Sequence, residues 1–387
     1  MKLRTFKFSC MQGCYWFGAC LVYSYAERIL LSYGMRTGTI GVVIALAYLS
    51  AMALQPALAA AADRERRVTL RSAIAVCALL AAGLSAAALL STGSLAVFAV
   101  LLGAITSVTL AVQPLLNAVG FHYMNHGQPL DYSFARGVAS VAYAASSLLL
   151  GVLLNHSTDA ALWLFIAVQL GLFGIAMAFA PHRSGLQTEK AGGSPLGIFK
   201  RYPAFVLFCI GDFIVTVPHT FLNAYLTSIT EVTGGDMSTM IAIAAVVEFP
   251  AMMAYSHIRK RIPDRVLLVI SASVYLVKTG LLLLAAAVPL GAWAVYASAG
   301  LQMLCYAIFV PAASYYANDS VSETDRVKGQ MLLTEAGLMA GVVSMLLGGI
   351  SIEALGVGRT LAVCEVLVAI GVLIVWLGVH KGREKSA

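Results

Sequence analysis

Long apolar segments separated by short polar breaks dominate the chain. Each break carries charged residues, Gly, Pro, Asn or Asp, and each segment is long enough for the roughly 20 apolar residues of a membrane-spanning helix. The pattern predicts twelve helices, near residues 6–31, 38–61, 68–90, 94–119, 132–155, 160–180, 202–229, 237–258, 265–288, 291–316, 328–354 and 358–379. The expected fold class is therefore an all-α membrane protein.

The longest polar stretch divides the twelve segments into two groups of six. It runs from Pro181 to Phe199, and its Ser, Gly, Lys and Glu content is typical of a flexible linker. Short basic loops occur at matching places, after the second and the eighth helix. The pattern predicts two pseudo-symmetric six-helix bundles, over residues 1–180 and 200–387, joined by a cytoplasmic linker over 181–199.

Composition and charge distribution fit a membrane location. The chain is 60% hydrophobic and 11% charged, whereas soluble domains carry about 25% charged residues. The 25 Lys and Arg residues concentrate in loops on the side of both termini, which the positive-inside rule assigns to the cytoplasm. They form no basic face that would indicate nucleic-acid binding. We expect a monomeric, multi-pass protein of a bacterial-type cytoplasmic (inner) membrane, surrounded by lipids, with both termini cytoplasmic.

The sequence offers little support for a metal, a cofactor or catalysis. Cys10 and Cys14 are one helical turn apart, but no His or carboxylate completes a ligand set, so packing is favoured over a metal site. The sequence contains no phosphate-binding loop, no H-E-x-x-H and no G-x-S-x-G motif. We expect no enzymatic activity and no cofactor, and any energy must come from an ion gradient.

Six ionisable residues stand out among those inside the predicted helices, where hydrocarbon tolerates charge poorly. A charge near the bilayer centre costs at least about 2.5–3.5 kcal/mol, so such residues normally face a water-filled path and mark ion or solute chemistry. They are Arg136, Asp212, Glu248, Lys278, Glu335 and Glu365. Glu365 lies in the last helix and is the weakest of these candidates.

The fifth predicted helix carries the most specific motif. It begins DYSFARG, from Asp131 to Gly137, and continues through Tyr143. In this motif and over most of its length, the chain resembles the oligosaccharide–proton and nucleoside–proton symporters of the major facilitator superfamily. The resemblance implies that Arg136 binds solute hydroxyls and that Tyr143, on the same helix face, stacks on a ring. Arg136 could instead extend toward the cytoplasm, because it lies near the start of the helix.

Other residues of the N-terminal half extend this hypothesis. The loop after helix 2 is similar to the superfamily's loop 2–3 signature and retains Asp63 and Arg64, which implies a gating pair; an ordinary basic loop is the alternative. Helix 4 ends in a Pro…Asn pattern like that of nucleoside–proton symporters, which makes Asn117 a candidate solute ligand. Trp16 and Tyr23 are deep enough in helix 1 to line a cavity, although Tyr and Trp also gather at lipid headgroups.

In the C-terminal half, the resemblance aligns Glu248 and Lys278 with an acid and a base of the sugar permeases. Both lie near mid-helix, so we expect them to pair with each other or with Asp212. The familiar proton site is missing, because Tyr306 and Phe309 stand where the sugar permeases have His and Glu.

Proton coupling must then use another carboxyl group. Glu335 and Glu248 are the leading candidates, since a carboxyl that alternates between an apolar cavity and the neighbourhood of Lys278 can bind and release a proton. Asp212 and His219 share one face of helix 7, so His219 could relay protons. A lone histidine is, however, more often a hydrogen-bonded structural residue.

Together these features predict a secondary transporter that moves a small polar solute, a nucleoside or a saccharide, by alternating access and proton-coupled symport. Its partners would be the solute and protons. A proton-driven efflux antiporter for drugs or metabolites is the main alternative, and a non-transporting sensor or lipid scramblase is another. A large aromatic-lined cavity with one isolated acid would favour efflux, whereas a closed polar cluster around Arg136 would favour uptake.

Overall fold

The computed structural model is almost entirely helical. It describes residues 2–64, 69–91, 93–125, 128, 130–180, 197–288, 290–322 and 325–384. The first helices are α1 (Lys2–Ser24), α2 (Ala26–Ser32), α3 (Thr37–Arg64), α4 (Leu70–Leu90), α5 (Leu95–Asn125), α6 (Tyr132–His156) and α7 (Thr158–Met177). They are followed by α8 (Gly197–Arg201), α9 (Pro203–Ala224), α10 (Leu226–Thr233), α11 (Met237–Ile258), α12 (Asp264–Ala287) and α13 (Ala292–Gly300). A short 3-10 helix (Leu301–Met303), α14 (Tyr306–Ser320), α15 (Arg326–Leu355) and α16 (Val357–Glu384) complete the chain.

Eleven helical segments in the described residues are long and apolar enough to cross a membrane. The first predicted segment is not among them, because α1 begins with Lys2, Arg4 and Lys7 and is less apolar than the others. Three predicted segments are interrupted: the first at Tyr25, the seventh at Tyr225 and the tenth at the 3-10 helix. The expected all-α fold class is confirmed.

The chain divides into two compact units. Unit 1 contains Met1–Gln187 and Met237–Val246, and unit 2 contains Thr188–Asp236 and Val247–Ala387. The division falls within the stretch that the sequence predicts as a linker, of which residues 181–196 lie outside the described part. The first half of α11 groups with unit 1, whereas the sequence places the whole helix in the C-terminal bundle.

Unit 1 is built on close contacts of α1 with α6 and α7, and of α5 with α3 and α4. Side-chain caps begin several of these helices. At α6 the carboxylate of Asp131 accepts from the backbone N–H of Phe134 at 2.9 Å, and at α7 the hydroxyl of Ser157 accepts from that of Ala160 at 3.3 Å. The first cap fixes where α6 starts, and therefore which of its side chains face α1.

Unit 2 is built around α9, which packs against α15 and α16. Glycines allow α9 and α16 to approach closely. A Cβ atom at Gly211 would lie 2.6 Å from the backbone nitrogen of Val375, and one at Gly378 would lie 2.6 Å from that of Phe208. Small residues are the usual means by which membrane helices bring their backbones together. The position of α9 against α16 is thus tightly determined.

One helix break recurs in both units. Tyr25 separates α1 from α2, and Tyr225 separates α9 from α10; both side chains are fully buried. Tyr25 donates a hydrogen bond to the backbone carbonyl of Ser147 on α6 at 2.7 Å, and Tyr225 donates to that of Met345 on α15 at 2.5 Å. The occurrence of the same tyrosine break in both units reflects the pseudo-symmetry of the fold.

Candidate functional site

An aromatic and cationic cluster lies in unit 1, where α1 packs against α6. The guanidinium carbon of Arg136 lies 4.3 Å from the centroid of the Trp16 ring, within range of a cation–π interaction. Tyr23 stacks beside Trp16 with a centroid distance of 5.9 Å, and Tyr143 meets it edge-on at 6.0 Å. We call these four residues the Trp16 cluster. All four side chains are partly exposed.

Helix periodicity and hydrogen bonds position the Trp16 cluster. Trp16 and Tyr23, like Arg136 and Tyr143, are two helical turns apart and so lie on one helix face. The hydroxyl of Tyr143 forms a 2.7 Å hydrogen bond with that of Ser24, and Tyr23 donates to Gln113 at 3.4 Å. The cluster therefore ties together α1, α5 and α6.

Asn117 lies on α5 beside the start of α6. Its side-chain oxygen accepts hydrogen bonds from the Tyr132 hydroxyl at 3.0 Å and from the Gln12 amide at 3.3 Å. Within the described residues, no group accepts a hydrogen bond from its amide nitrogen, which leaves that donor available to a solute. Tyr132, to which Asn117 is hydrogen bonded, lies one turn before Arg136 on α6. The Asn117 amide is therefore close to the Trp16 cluster. Sequence reasoning missed Gln12 and Gln113, because an uncharged amide in an apolar helix is a weak signal.

A bridged pair of charges lies inside unit 2. Lys278 is 2% exposed, and its ammonium group donates a hydrogen bond to the side-chain oxygen of Gln302. The amide nitrogen of Gln302 donates in turn to Glu248 Oε1 at 2.8 Å. We call this arrangement the Gln302 bridge. Gln302 lies in the 3-10 helix between α13 and α14. Ser298, at the end of α13, connects this part of the chain to α12, because its hydroxyl donates a hydrogen bond to the backbone carbonyl of Lys278 at 3.0 Å.

The amide of Gln302 suits its two charged neighbours. Its oxygen faces the donor Lys278 and its nitrogen faces the acceptor Glu248, so both charged groups gain a charge-assisted hydrogen bond. The sequence suggested a direct pair, and the structure instead places an amide between the two charges. Nothing in the charge pattern marks Gln302 for this role.

Asp212 and His219 share α9 but have different surroundings. His219 stacks on Tyr306 with a centroid distance of 4.8 Å and meets Tyr275 edge-on at 5.3 Å. Asp212 is 6% exposed, and no described residue forms a hydrogen bond or an ion pair with it. The expected pairing of Asp212 with Lys278 is therefore absent among the described residues, because the lysine is held by Gln302.

Glu335 is not part of the Gln302 bridge. It is exposed on α15, on the face that also carries the exposed Met331 and Met339, and no described residue hydrogen bonds to it. The rotation of α15 about its axis thus separates Glu335 from the charges with which the sequence grouped it. Asp63 and Arg64 end α3, and their side chains lie outside the described residues.

The chain is similar to known membrane transporters in sequence and in structure. The model of the MFS_1 like family matches residues 15–363. A mutant of the nucleoside transporter NupG is similar in structure with a TM-score of 0.80 at 15% identity, covering 97% of this chain and 98% of that chain. A bacterial homologue of the human lysosomal transporter Spinster, solved inward-facing and unoccupied, has a TM-score of 0.69 at 13% identity, with 98% and 97% covered.

An auto-inhibited peptide transporter of the POT family has a TM-score of 0.74 at 10% identity, with 98% of this chain and 96% of that chain covered. No curated protein sequence matches the chain. At these identities the likeness shows the fold alone, and it confirms the predicted twelve-helix architecture of two six-helix bundles.

Proposed function

Because the chain belongs to the MFS_1 like family of membrane transporters, whose members are not enzymes, we propose that it moves a small polar ring solute across the cytoplasmic membrane by proton-coupled symport. The substrate class is a nucleoside or a saccharide. The Trp16 cluster carries this proposal, since it combines a flat aromatic surface with a fixed cationic donor.

The chemistry of the cluster suits a ring that bears hydroxyl groups. The Arg136 guanidinium presents several N–H donors in a rigid fork, which bind ring or ribose hydroxyls, and Trp16, Tyr23 and Tyr143 offer aromatic surface to an apolar ring face. Asn117 adds an amide nitrogen with no acceptor among the described residues.

A nucleoside is the preferred substrate within this class. Asn and Gln side chains match the paired donors and acceptors along a nucleobase edge. Gln113, which accepts a hydrogen bond from Tyr23 of the cluster, and Asn117 lie one turn apart on α5. NupG, which has the same fold, is named as a nucleoside transporter.

Proton coupling rests on unit 2. Lys278 and Glu248 are linked through Gln302 inside the helices, where an unpaired charge is costly, so a change in protonation must change the arrangement of these groups. The sequence contains no phosphate-binding loop, which leaves an ion gradient as the energy source.

The test is transport by the purified chain in proteoliposomes, with a panel of nucleosides and sugars added outside and external pH recorded. Symport predicts external alkalinisation with the transported solute. Arg136→Ala and Trp16→Leu are expected to weaken apparent affinity at least tenfold, whereas Trp163→Leu, which removes a 61% exposed tryptophan, is expected to leave it unchanged. Full activity of Arg136→Ala contradicts the site, and uptake that ignores an imposed proton gradient contradicts the coupling.

A proton-driven efflux antiporter is the second candidate, and Asp212 is the observation that favours it. A single buried acid without a partner in the described residues is the feature expected of such a protein. The same vesicles distinguish the two functions, because antiport acidifies the external medium when a solute enters, whereas symport makes it alkaline.

A further inference from the structure

We propose that Asp212 is the residue that carries the coupled proton, and that Lys278, released from the Gln302 bridge, is the cation that drives this proton off. The inference rests on the proposed function and names the groups that perform its coupling step.

The environment of Asp212 disfavours a charged carboxylate in this conformation. The Asp212 side chain lies on α9 and is 6% exposed. No described residue forms a hydrogen bond or an ion pair with it. Taking a carboxylate out of water without a partner is strongly unfavourable, and the group then takes up a proton instead. The proposal therefore places the coupled proton on Asp212 in this conformation.

Asp325 shows what a buried carboxylate of this protein requires in order to stay charged. It is as well buried as Asp212, at 5% exposure, but lies outside the membrane-spanning segments. Its oxygens accept hydrogen bonds from Lys328 at 2.9 Å, from Arg201 at 2.8 Å and from Tyr202 at 3.1 Å. Among the described residues, no such donor reaches the Asp212 carboxyl group.

The other membrane carboxyls of unit 2 are less suited to hold the proton. Glu248 is partly exposed and accepts a hydrogen bond from Gln302. Glu335 is exposed. Glu365 is partly exposed on α16, where its carboxyl group lies beside Gly280 of α12 and its buried Oε2 has no hydrogen-bond partner in the described residues. Asp212 is the one of these four whose whole side chain is buried, at 6% exposure.

Charged and titratable groups around Asp212 come from two helices. On α9 itself they are Cys209, one turn before it, and His219, two turns after it. On α12, Tyr275 interacts electrostatically with both Asp212 and Glu248, and Lys278 follows one turn later. The carboxyl groups near the middle of α15 and α16 are those of Glu335, which is exposed, and Glu365, which lies beside Gly280. Tyr275 thus interacts with the proposed proton carrier and with one of the bridged charges.

In the proposed cycle, the ammonium group of Lys278 occupies two alternative positions. While Gln302 and Glu248 hold its ammonium group, Asp212 has no counter-ion and keeps its proton. When the bridge opens, the ammonium group can approach Asp212 and stabilise its carboxylate. The O–H bond of Asp212 then breaks, the proton passes to water, and the electron pair stays on the carboxylate that pairs with Lys278. Reprotonation of Asp212 returns Lys278 to the bridge.

The first experiment compares exchange with accumulation in proteoliposomes, using radiolabelled uridine and lactose. Asp212→Asn imitates the protonated carboxyl, so it is expected to keep solute counterflow, which needs no net proton movement, and to lose proton-driven accumulation. Glu335→Gln is the matched control and is expected to keep both. An Asp212→Asn protein that still accumulates solute on a proton gradient overturns the proposal, as does one that is folded but has lost counterflow.

The second experiment does not depend on transport. Infrared spectroscopy of the purified protein at neutral pH is expected to show the carbonyl stretching band of a protonated carboxyl, and this band is expected to disappear in Asp212→Asn and to persist in Glu335→Gln. A band that persists in Asp212→Asn contradicts the assignment. If no solute drives proton movement in the wild type, the proposed symport fails while the infrared result still decides whether Asp212 is protonated.

Discussion

Tyr25 donates a 2.7 Å hydrogen bond to the backbone carbonyl of Ser147, and so connects the break between α1 and α2 to the middle of α6. The same hydroxyl group hydrogen bonds with Ser238 Oγ at 2.9 Å, and Ser147 Oγ donates to the backbone carbonyl of Ser238 at 2.8 Å. Residues 237–246 belong to unit 1 as a consequence of contacts of this kind. Tyr25 therefore joins three helices through one buried hydroxyl group.

Tyr25→Phe should lower the free energy of unfolding by about 0.5–1.5 kcal/mol, because it removes both hydrogen bonds and retains the buried ring. Thermal unfolding in detergent measures the effect. Tyr33→Phe is the control, since the Tyr33 hydroxyl has no hydrogen-bond partner in the described residues while its ring packs on Phe98. An equal loss in both variants would show that the Tyr25 hydroxyl contributes nothing specific.

Gly151→Ala should destabilise the protein by about 1–3 kcal/mol, the usual cost of overpacking. A Cβ atom at this position would lie 1.9 Å from Ser238 Oγ and 2.7 Å from Ser238 Cβ. Gly174→Ala is the control, because no atom lies within 4 Å of a Cβ placed there. Combining Gly151→Ala with Ser238→Gly removes the clash and should restore part of the melting temperature. Failure of this rescue would mean that the close approach of these residues is not the cause.

Gln302→Leu should lower stability by about 2–4 kcal/mol, since it removes the bridging amide from the buried Lys278 and from the partly exposed Glu248. Proton-coupled transport should fall with it. Met303→Leu changes the next residue of the same 3-10 helix, which is 38% exposed, and should cost less than about 0.5 kcal/mol. Thermal unfolding of both variants checks the prediction. If both variants lose the same stability, the loss comes from disturbing the 3-10 helix and not from removing the bridging amide.

The Asp325 site should make stability depend on pH at the acidic end. Hydrogen bonding from Lys328, with further donors on Tyr202 and Arg201, lowers the pKa of Asp325 to about 2, below the value of about 3.9 for a free aspartate. A lowered pKa in the folded state means that stabilisation is present above about pH 4 and is lost as pH falls through about 2.

Asp325→Asn should therefore have a lower melting temperature than the wild type at pH 5, and the difference should shrink as pH approaches 2.5. Asp319→Asn, which changes a 61% exposed side chain, is the control and should show a smaller difference throughout. A melting-temperature difference for Asp325→Asn that does not vary with pH would contradict the charged state of Asp325.

Local patterns in the sequence determined the helices and much of the Trp16 cluster. The run of apolar residues needed to cross a bilayer is visible in any one segment, and the spacing of Arg136 and Tyr143 places both on one face of whichever helix contains them. Since Trp16 and Tyr23 have the same spacing, two such faces needed only to meet for the cluster to form. The predictions made from these local rules required no knowledge of neighbouring helices.

Only the tertiary structure decided how the buried charges are shared. Adjacent residues on an α-helix point about 100° apart, so the partner of a side chain depends on how each neighbouring helix is rotated and where it breaks. Those rotations expose Glu335, isolate Asp212 and bring Gln302 between Lys278 and Glu248. An amide in an apolar segment carries no charge by which the sequence could reveal it, and its role comes from the two helices that meet it.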